Sequence, residues 1–151
     1  MNIFFLDRDI QKCAQYHNNK HTIKMSVELG QLLCTAINLN GGNAPYKTTH
    51  KNHPSAVWVR SNKKHWEYTK ELALALCKEY THRYGKTHKT QAVLESIDCP
   101  SIPDQEWSDP PQCMPDEHKQ DDVVSAYRTY YATSKAAIAQ WKNREIPGWF
   151  K

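Results

Sequence analysis

Apolar and polar positions recur with helical spacing over most of the chain, most clearly in residues 17–38. At about 100° per residue, the apolar side chains of this stretch spread over more than half of the helical circumference. A surface helix usually has one apolar stripe and a wide polar face, so this pattern predicts a helix through the middle of the domain. Its narrow polar strip is expected to face a cleft. The strip consists of Lys20, His21, Lys24, Glu28 and Gln31.

Capping residues and spacing predict five further helices, over residues 9–17, 54–60, 63–84, 90–97 and 121–142. Asp7 and Asp9 suit the N-terminus of the first helix, Ser61 or Asn62 suits that of the long helix, and Gly85 suits its C-terminus. The last helix is expected to bury Val124, Tyr127, Tyr131, Ala137 or Ile138, and Trp141. No stretch shows strand alternation. The predicted fold is therefore all-α, a single compact helical domain over residues 1–151 with a long Pro-rich acidic loop before the last helix.

Charge is unevenly distributed along the 151 residues, although the net charge is only +4. Residues 93–122 hold nine acidic residues and one lysine, and the rest of the chain is basic. A basic body favours a polyanionic partner, most simply DNA or a nucleotide. The same uneven charge distribution is also typical of two solvent-exposed surfaces, or of an internal pairing between the basic and acidic parts. The acidic segment is a candidate lid over the basic body, or a mimic of DNA.

The remaining composition indicates a cytoplasmic protein. The five cysteines are odd in number and form no CxxC pair, which is typical of free thiols in a reducing compartment. Cys34 and Cys77 are expected in the core. The apolar residues 3–6 are too few for a signal peptide or a membrane span, and they predict a buried N-terminal segment. We therefore expect no membrane association.

The first candidate for chemistry is the polar strip of the central helix. Glu28 is the only acidic residue between positions 10 and 66, and it lies one turn from Lys24. A lone carboxylate among basic groups suits general acid–base or electrostatic catalysis, so Glu28, Lys24 and His21 are the catalytic candidates. The alternative is a structural Glu–Lys pair at helical spacing.

A second candidate is the polar stretch from position 49 to 60. Its amide, imidazole, ammonium and guanidinium groups suit contacts with phosphates and bases, although the same stretch also suits a helix-capping turn. The predicted substrate-binding residues, including members of other segments, are Lys20, Gln31, Lys51, Asn52, His53, Trp58, Arg60, Lys119 and Arg128.

Histidine spacing offers a third interpretation. His17 and His21 are separated by four residues, a known spacing for a zinc pair, and His50 and His53 are the candidates to complete a site. No further cysteine or aspartate stands at motif spacing. The prediction is accordingly that the protein needs no metal or other cofactor, with the four-histidine site as the alternative.

Three segments resemble the pyrimidine-dimer DNA glycosylase (endonuclease V) family, and residues 110–117 and 126–131 resemble its uncharacterised phage branch. Residues 19–33 are similar to the basic helix of the wider group, with Val27-Glu28 and Gln31-Leu32-Leu33. Residues 52–59 are similar to a recurring Asn-His-Pro-Ala-Val stretch that is followed by Trp. The long helix ending in Arg83-Tyr84-Gly85 extends the resemblance, which covers about two thirds of the chain.

The resemblance implies a compact helical enzyme that acts on DNA, with an N-terminal amine as nucleophile at C1′ and an assisting glutamate. Glu28 matches that glutamate, and Lys20, His21 and Lys24 stand in place of the basic residues. The family exposes the amine of a small residue by removing methionine, whereas this chain begins Met1-Asn2. The resemblance therefore leaves open whether Lys20 or Lys24 replaces that amine or whether no covalent, lyase-type step occurs.

The leading functional hypothesis is a phage-type N-glycosylase-like enzyme that works at the N-glycosidic bond of a damaged or modified nucleotide. The first alternative is a non-enzymatic protein that binds or sequesters nucleic acid or nucleotides. The second is a metal-dependent hydrolase that uses the four histidines.

Overall fold

The computed structural model of the protein describes residues 1–150 and contains α-helices and short 3-10 turns but no strand in that range. The predicted all-α class is confirmed. The helices are α1 (Ile10–Tyr16), α2 (Asn19–Leu39), α3 (Pro54–Arg60), α4 (Lys63–Tyr84), α5 (Thr90–Ser96) and α6 (Val123–Thr133), with 3-10 turns at Asp116–His118 and Ala136–Ile138. None of these helices is both long and apolar enough to cross a bilayer.

Helix α2 runs through the centre and packs chiefly on α4. The fully buried Trp66 of α4 donates a hydrogen bond from Nε1 to the Leu33 carbonyl oxygen at 3.2 Å, which ties the two helices together. Cys34 of α2 and Cys77 of α4 are both buried, as predicted. Helices α1, α3 and α5 pack against one or both helices of this pair, whereas α6 packs chiefly on the two 3-10 turns.

The buried face of α2 differs from the predicted one. Ile23 is 44% exposed, whereas Thr22 and Ser26 are buried. Both hydroxyls donate to carbonyl oxygens of their own helix, Thr22 to Asn18 and Ser26 to Ile23. Because these bonds satisfy the hydroxyl groups, small polar residues occupy a closely packed face at little cost.

The last helix is shorter than predicted. Helix α6 ends at Thr133 rather than near 142, and Ala137 is exposed. The chain turns because the following segment docks on the start of α2, where the Asn19 amide donates to the Gln140 carbonyl oxygen at 2.8 Å. Trp141 is still buried, as expected, and donates from Nε1 to the Tyr16 carbonyl oxygen. These tertiary contacts end α6 at Thr133, although the helical spacing of apolar residues continues to about residue 142.

The Pro-rich acidic segment between α5 and α6, residues 97–122, is an ordered strap along α3 and the start of α4. The Trp58 indole donates to the Ser108 carbonyl oxygen at 3.1 Å, and the Asn62 side chain donates from Nδ2 to the Glu106 carbonyl oxygen at 2.7 Å. Among residues 1–150, its ion pairs with the rest of the chain go to Arg8 and Lys64. These cations lie apart from the polar strip of α2, so the strap is not a lid on that strip.

Two core histidines make the stability of this fold sensitive to pH. Burial is the main cause that lowers the pKa of His17 to about 4 and that of His21 to about 3, whereas an unfolded histidine titrates near about 6.5. Between those values the unfolded chain binds more protons, so the free energy of unfolding decreases as the pH falls. We expect the urea midpoint to fall steadily from pH 6.5 to pH 5. A midpoint that stays constant over this range would contradict the assignment.

Candidate active site

The centre of the site is a contact between the start of the chain and the middle of α2. The α-amino group of Met1 lies 3.2 Å from Glu28 Oε1, and Lys24 Nζ lies 3.4 Å from Glu28 Oε2. The Glu28 side chain is 15% exposed, and Lys24 extends into solvent. One carboxylate therefore faces two amines, one mostly buried and one exposed.

The buried N-terminal segment positions the Met1 amine. Residues 3–6 are almost completely buried, as predicted, and the Phe4 ring stacks on the His21 ring with centroids 4.4 Å apart. This packing places residues 3–6 against the first turns of α2. Glu28 lies two turns further along the helix, where the chain start reaches it.

A cleft of about 770 Å³ opens beside Glu28. One wall is the exposed side of α2, so the prediction that the polar strip faces a cleft is confirmed for Lys24, Glu28 and Gln31. The opposite wall is formed by aromatic side chains and by the loop after α4. Its lining residues are Tyr46, Tyr80, Lys86, Thr87, His88, Lys89 and Thr90.

His88 fixes the loop that forms this wall. Its Nδ1 accepts a hydrogen bond from the Thr90 amide, so Nε2 carries the proton and donates to the Ile23 carbonyl oxygen at 2.9 Å. Lys86 and Lys89 flank this anchor and are exposed. The loop therefore holds two lysine side chains at the rim of the cleft.

Tyr46 closes the end of the cleft nearest Gly30. Its hydroxyl lies 3.0 Å from Thr90 Oγ1, and its ring approaches Gly30 so closely that an added Cβ would lie 3.2 Å from Tyr46 Cε2. The glycine of α2 thus makes room for an aromatic wall next to Gln31.

The turn before α3 lies near the amine. His53 caps α3, because its Nδ1 accepts from the Ser55 amide at 3.1 Å. Burial is the first cause of a lowered pKa at His53, and the positive charge of the N-terminal ammonium is the second. Lys51 and Asn52 are exposed in the same turn, and Arg60 holds it by donating to the Lys51 carbonyl oxygen. His53 therefore caps α3 and also lies close enough to the Met1 amine for the ammonium charge to lower its pKa.

His21 does not lie in the cleft. It is only 5% exposed, and its Nδ1 lies 2.6 Å from the Tyr131 hydroxyl. The side chain therefore belongs to the core, although its neighbour Lys20 is exposed on the helix.

Three other predicted binding residues are engaged elsewhere. Trp58 is buried and stacks on His65 with ring centroids 4.0 Å apart. Arg128 forms an ion pair with Asp7 at 2.8 Å. Lys119 pairs with Asp116 on the strap. The structure does not bring these side chains to the cleft.

The four histidines of the alternative metal site are also separated. His17 Nδ1 donates to the Cys13 carbonyl oxygen at 2.7 Å in the core, next to His21, whereas His53 caps α3. Within residues 1–150, no group of three or more histidine, cysteine or acidic side chains is arranged to hold a metal ion. The structure does not assemble this site.

The family resemblance implied an N-terminal amine, but the residue pattern predicted neither the contact of the Met1 amine with Glu28 nor the far wall of the cleft. A contact between the first residue and a helix position 27 residues later leaves no local pattern. The Lys86-Thr87-His88-Lys89 stretch did carry a pattern, since basic residues follow directly on the Gly85 cap.

These features define a helical protein with an amine–carboxylate pair beside a cleft that carries lysines at its rim. The family model for pyrimidine dimer DNA glycosylase matches residues 1–92, more than half of the chain. The chain belongs to this family, as the sequence resemblance predicted, and membership implies a DNA glycosylase-like activity with DNA as the substrate. No curated protein and no solved structure matches the chain. The assignment to a phage branch stays a prediction.

Proposed function

We propose that this protein is a DNA N-glycosylase that cleaves the N-glycosidic bond of a damaged or modified nucleotide, with the Met1 amine as its nucleophile. The observation that carries the proposal is the 3.2 Å contact between this amine and Glu28 Oε1, since the Glu28 side chain lines the cleft. The family match supports the choice of DNA as substrate.

The chemistry follows from the two groups at the contact. The lone pair of the deprotonated amine attacks C1′ of the deoxyribose, and the electrons of the C1′–N bond leave with the base, which takes up a proton. After the adduct nitrogen loses a proton, its lone pair breaks the C1′–O4′ bond, O4′ takes up a proton, and an iminium ion joins Met1 to C1′. Glu28 is suited to hold the amine, to accept its proton and to stabilise positive charge on the sugar. Lys24 is then a second cation on the same carboxylate rather than the nucleophile.

The cleft suits a nucleotide that has left the base stack. Its volume of about 770 Å³ lies within the usual range for small-molecule sites. The Tyr46 and Tyr80 rings offer apolar faces, and Gln31 offers an amide for a base edge. Lys24, Lys86 and Lys89 line the cleft and suit the flanking phosphates. Lys20 and Lys51 are exposed outside the lining and suit phosphates further along the DNA.

The direct test of this function is product formation on duplexes that each carry one modified base, on ultraviolet-irradiated duplex and on duplex with an abasic site. We expect free base from at least one damaged duplex and a covalent adduct with the abasic duplex under borohydride. Salt-sensitive binding without any product would instead support a non-enzymatic binding protein.

The two lysines of the loop give a separate prediction for DNA binding. Because Lys86 and Lys89 are exposed on either side of the His88 anchor, the double substitution Lys86→Ala/Lys89→Ala should weaken duplex binding and lower the salt slope by roughly 2. The control is Lys12→Ala, which removes an exposed lysine from α1. Titration of a fluorescent duplex at several salt concentrations measures both quantities. Equal slopes for the double variant and the wild type would place the DNA elsewhere.

A further inference from the structure

The N-terminal segment is held by a part of the chain outside residues 1–92. At its start, the Asn2 side chain donates from Nδ2 to the Cys113 carbonyl oxygen at 2.8 Å. At its end, Arg128 donates from Nε to the Leu6 carbonyl oxygen at 2.7 Å and pairs with Asp7. The strap and α6 therefore fix both ends of the segment that carries the amine.

The strap is itself anchored where it meets Asn2. The Cys113 amide donates to the Tyr127 hydroxyl at 3.3 Å, and this buried hydroxyl donates in turn to the Pro111 carbonyl oxygen. Cys113 Sγ also lies 3.7 Å from Ser55 Oγ on α3. The carbonyl that holds Asn2 is thus fixed from two helices.

The loop beyond Cys113 is closed by a pair of amide contacts. Gln112 donates from Nε2 to the Gln120 backbone carbonyl oxygen at 2.7 Å, and the Gln120 backbone N–H donates to Gln112 Oε1 at 3.0 Å. These two bonds limit the motion of residues 112–120, which contain the Asn2 acceptor.

We propose that Asn2, Cys113 and Tyr127 form a clamp that holds the Met1 amine against Glu28, and that Asn2 and Tyr127 are positioning residues for the attack on C1′. This inference rests on the proposed role of the amine as nucleophile. Asn2 is the neighbour of Met1, so loss of its contact lets the amine rotate away from the carboxylate. A misplacement of about 1 Å in a reacting group lowers rates by about a hundredfold.

With this clamp, the segment after residue 92, which lies outside the family match, has a role in the reaction. Its acids pair with Arg8 and Lys64, away from the cleft, while its backbone at Cys113 holds the N-terminal segment. The strap therefore acts on the chemistry through the position of the amine and not by covering the DNA surface.

The test is the single-turnover rate at which the full chain forms a borohydride-trapped adduct with an abasic duplex. Asn2→Leu is nearly isosteric but lacks the donor, and we expect its rate to be about ten- to hundredfold lower with unchanged duplex affinity. Asn2→Gln keeps a donor and should recover most of the rate. The control, Gln11→Leu on the exposed side of α1, should match the wild type.

Tyr127→Phe provides an independent test, because it removes the hydroxyl that holds Cys113 and leaves the buried ring. We expect a lower rate than in the wild type. Since both substitutions act through the same carbonyl, the double variant Asn2→Leu/Tyr127→Phe should be slower by much less than the product of the two single effects. Independent structural damage would instead give multiplicative effects.

The outcomes separate the clamp from the proposed function. If the wild type forms its adduct on Met1, two results would contradict the clamp alone. One is a wild-type rate of adduct formation in Asn2→Leu, and the other is a rate in the double variant that equals the product of the two single effects. A wild-type adduct on a lysine, or no adduct, would contradict the proposed function itself.

Discussion

Replacement of Glu28 by glutamine is expected to abolish base release and adduct formation, with a rate loss of about a hundred- to ten-thousandfold. The carboxylate contacts the Met1 amine and Lys24 and also lines the cleft. The amide keeps the shape of the side chain but can neither take the amine proton nor stabilise a positively charged sugar. Single-turnover assays on an abasic duplex measure the loss.

The fold and the DNA affinity should survive this substitution. The exposed ion pair with Lys24 contributes only about 0–1 kcal/mol to stability. The glutamine oxygen can still accept a hydrogen bond from the more buried Met1 amine. Glu71→Gln is the matched control, because Glu71 is an exposed carboxylate on α4 away from the site. Wild-type turnover in Glu28→Gln would remove Glu28 from the mechanism.

Insertion of one residue between Met1 and Asn2 is the second change with a large expected effect. One residue spans about 3.8 Å between Cα atoms, so the insertion moves the amine away from Glu28 by up to that distance. We expect adduct formation to fall by about a hundredfold or more. Duplex affinity should stay unchanged, because the cleft lysines are untouched.

The control for this change is the same residue inserted between Gly41 and Gly42, in the exposed loop after α2. It alters chain length without moving the amine, and its rate should equal that of the wild type. If the N-terminal insertion traps DNA at the wild-type rate, another amine is the nucleophile.

Helix boundaries were predictable from sequence wherever a local cap sets them. Asn62 caps α4 by accepting from the Lys64 amide, and Gly85 ends it with a positive φ of 68°. Each of these caps bonds to a backbone group only a few residues away in the sequence. The end of α6 depends instead on the docking of residue 140 on Asn19, a contact that no local pattern contains.

The same distinction applies to the site. Glu28 was predictable because it is the single acid on the polar strip of α2. His21 lies on the same strip in sequence but is drawn into the core by Phe4 and Tyr131, 17 positions before it and 110 after it. The contact of the Met1 amine with Glu28 was not predictable from the residue pattern, because it depends on how residues 3–6 pack and on the strap that holds Asn2.

The most direct test of the central claim is to map the trapped adduct on the wild-type chain. The protein is incubated with an abasic duplex and borohydride, digested with trypsin and analysed by mass spectrometry. We predict that the reduced sugar is attached to the α-amino group of the N-terminal peptide, which begins at Met1. Attachment to Lys24 or Lys20, or the absence of any adduct on the N-terminal peptide, would contradict the account.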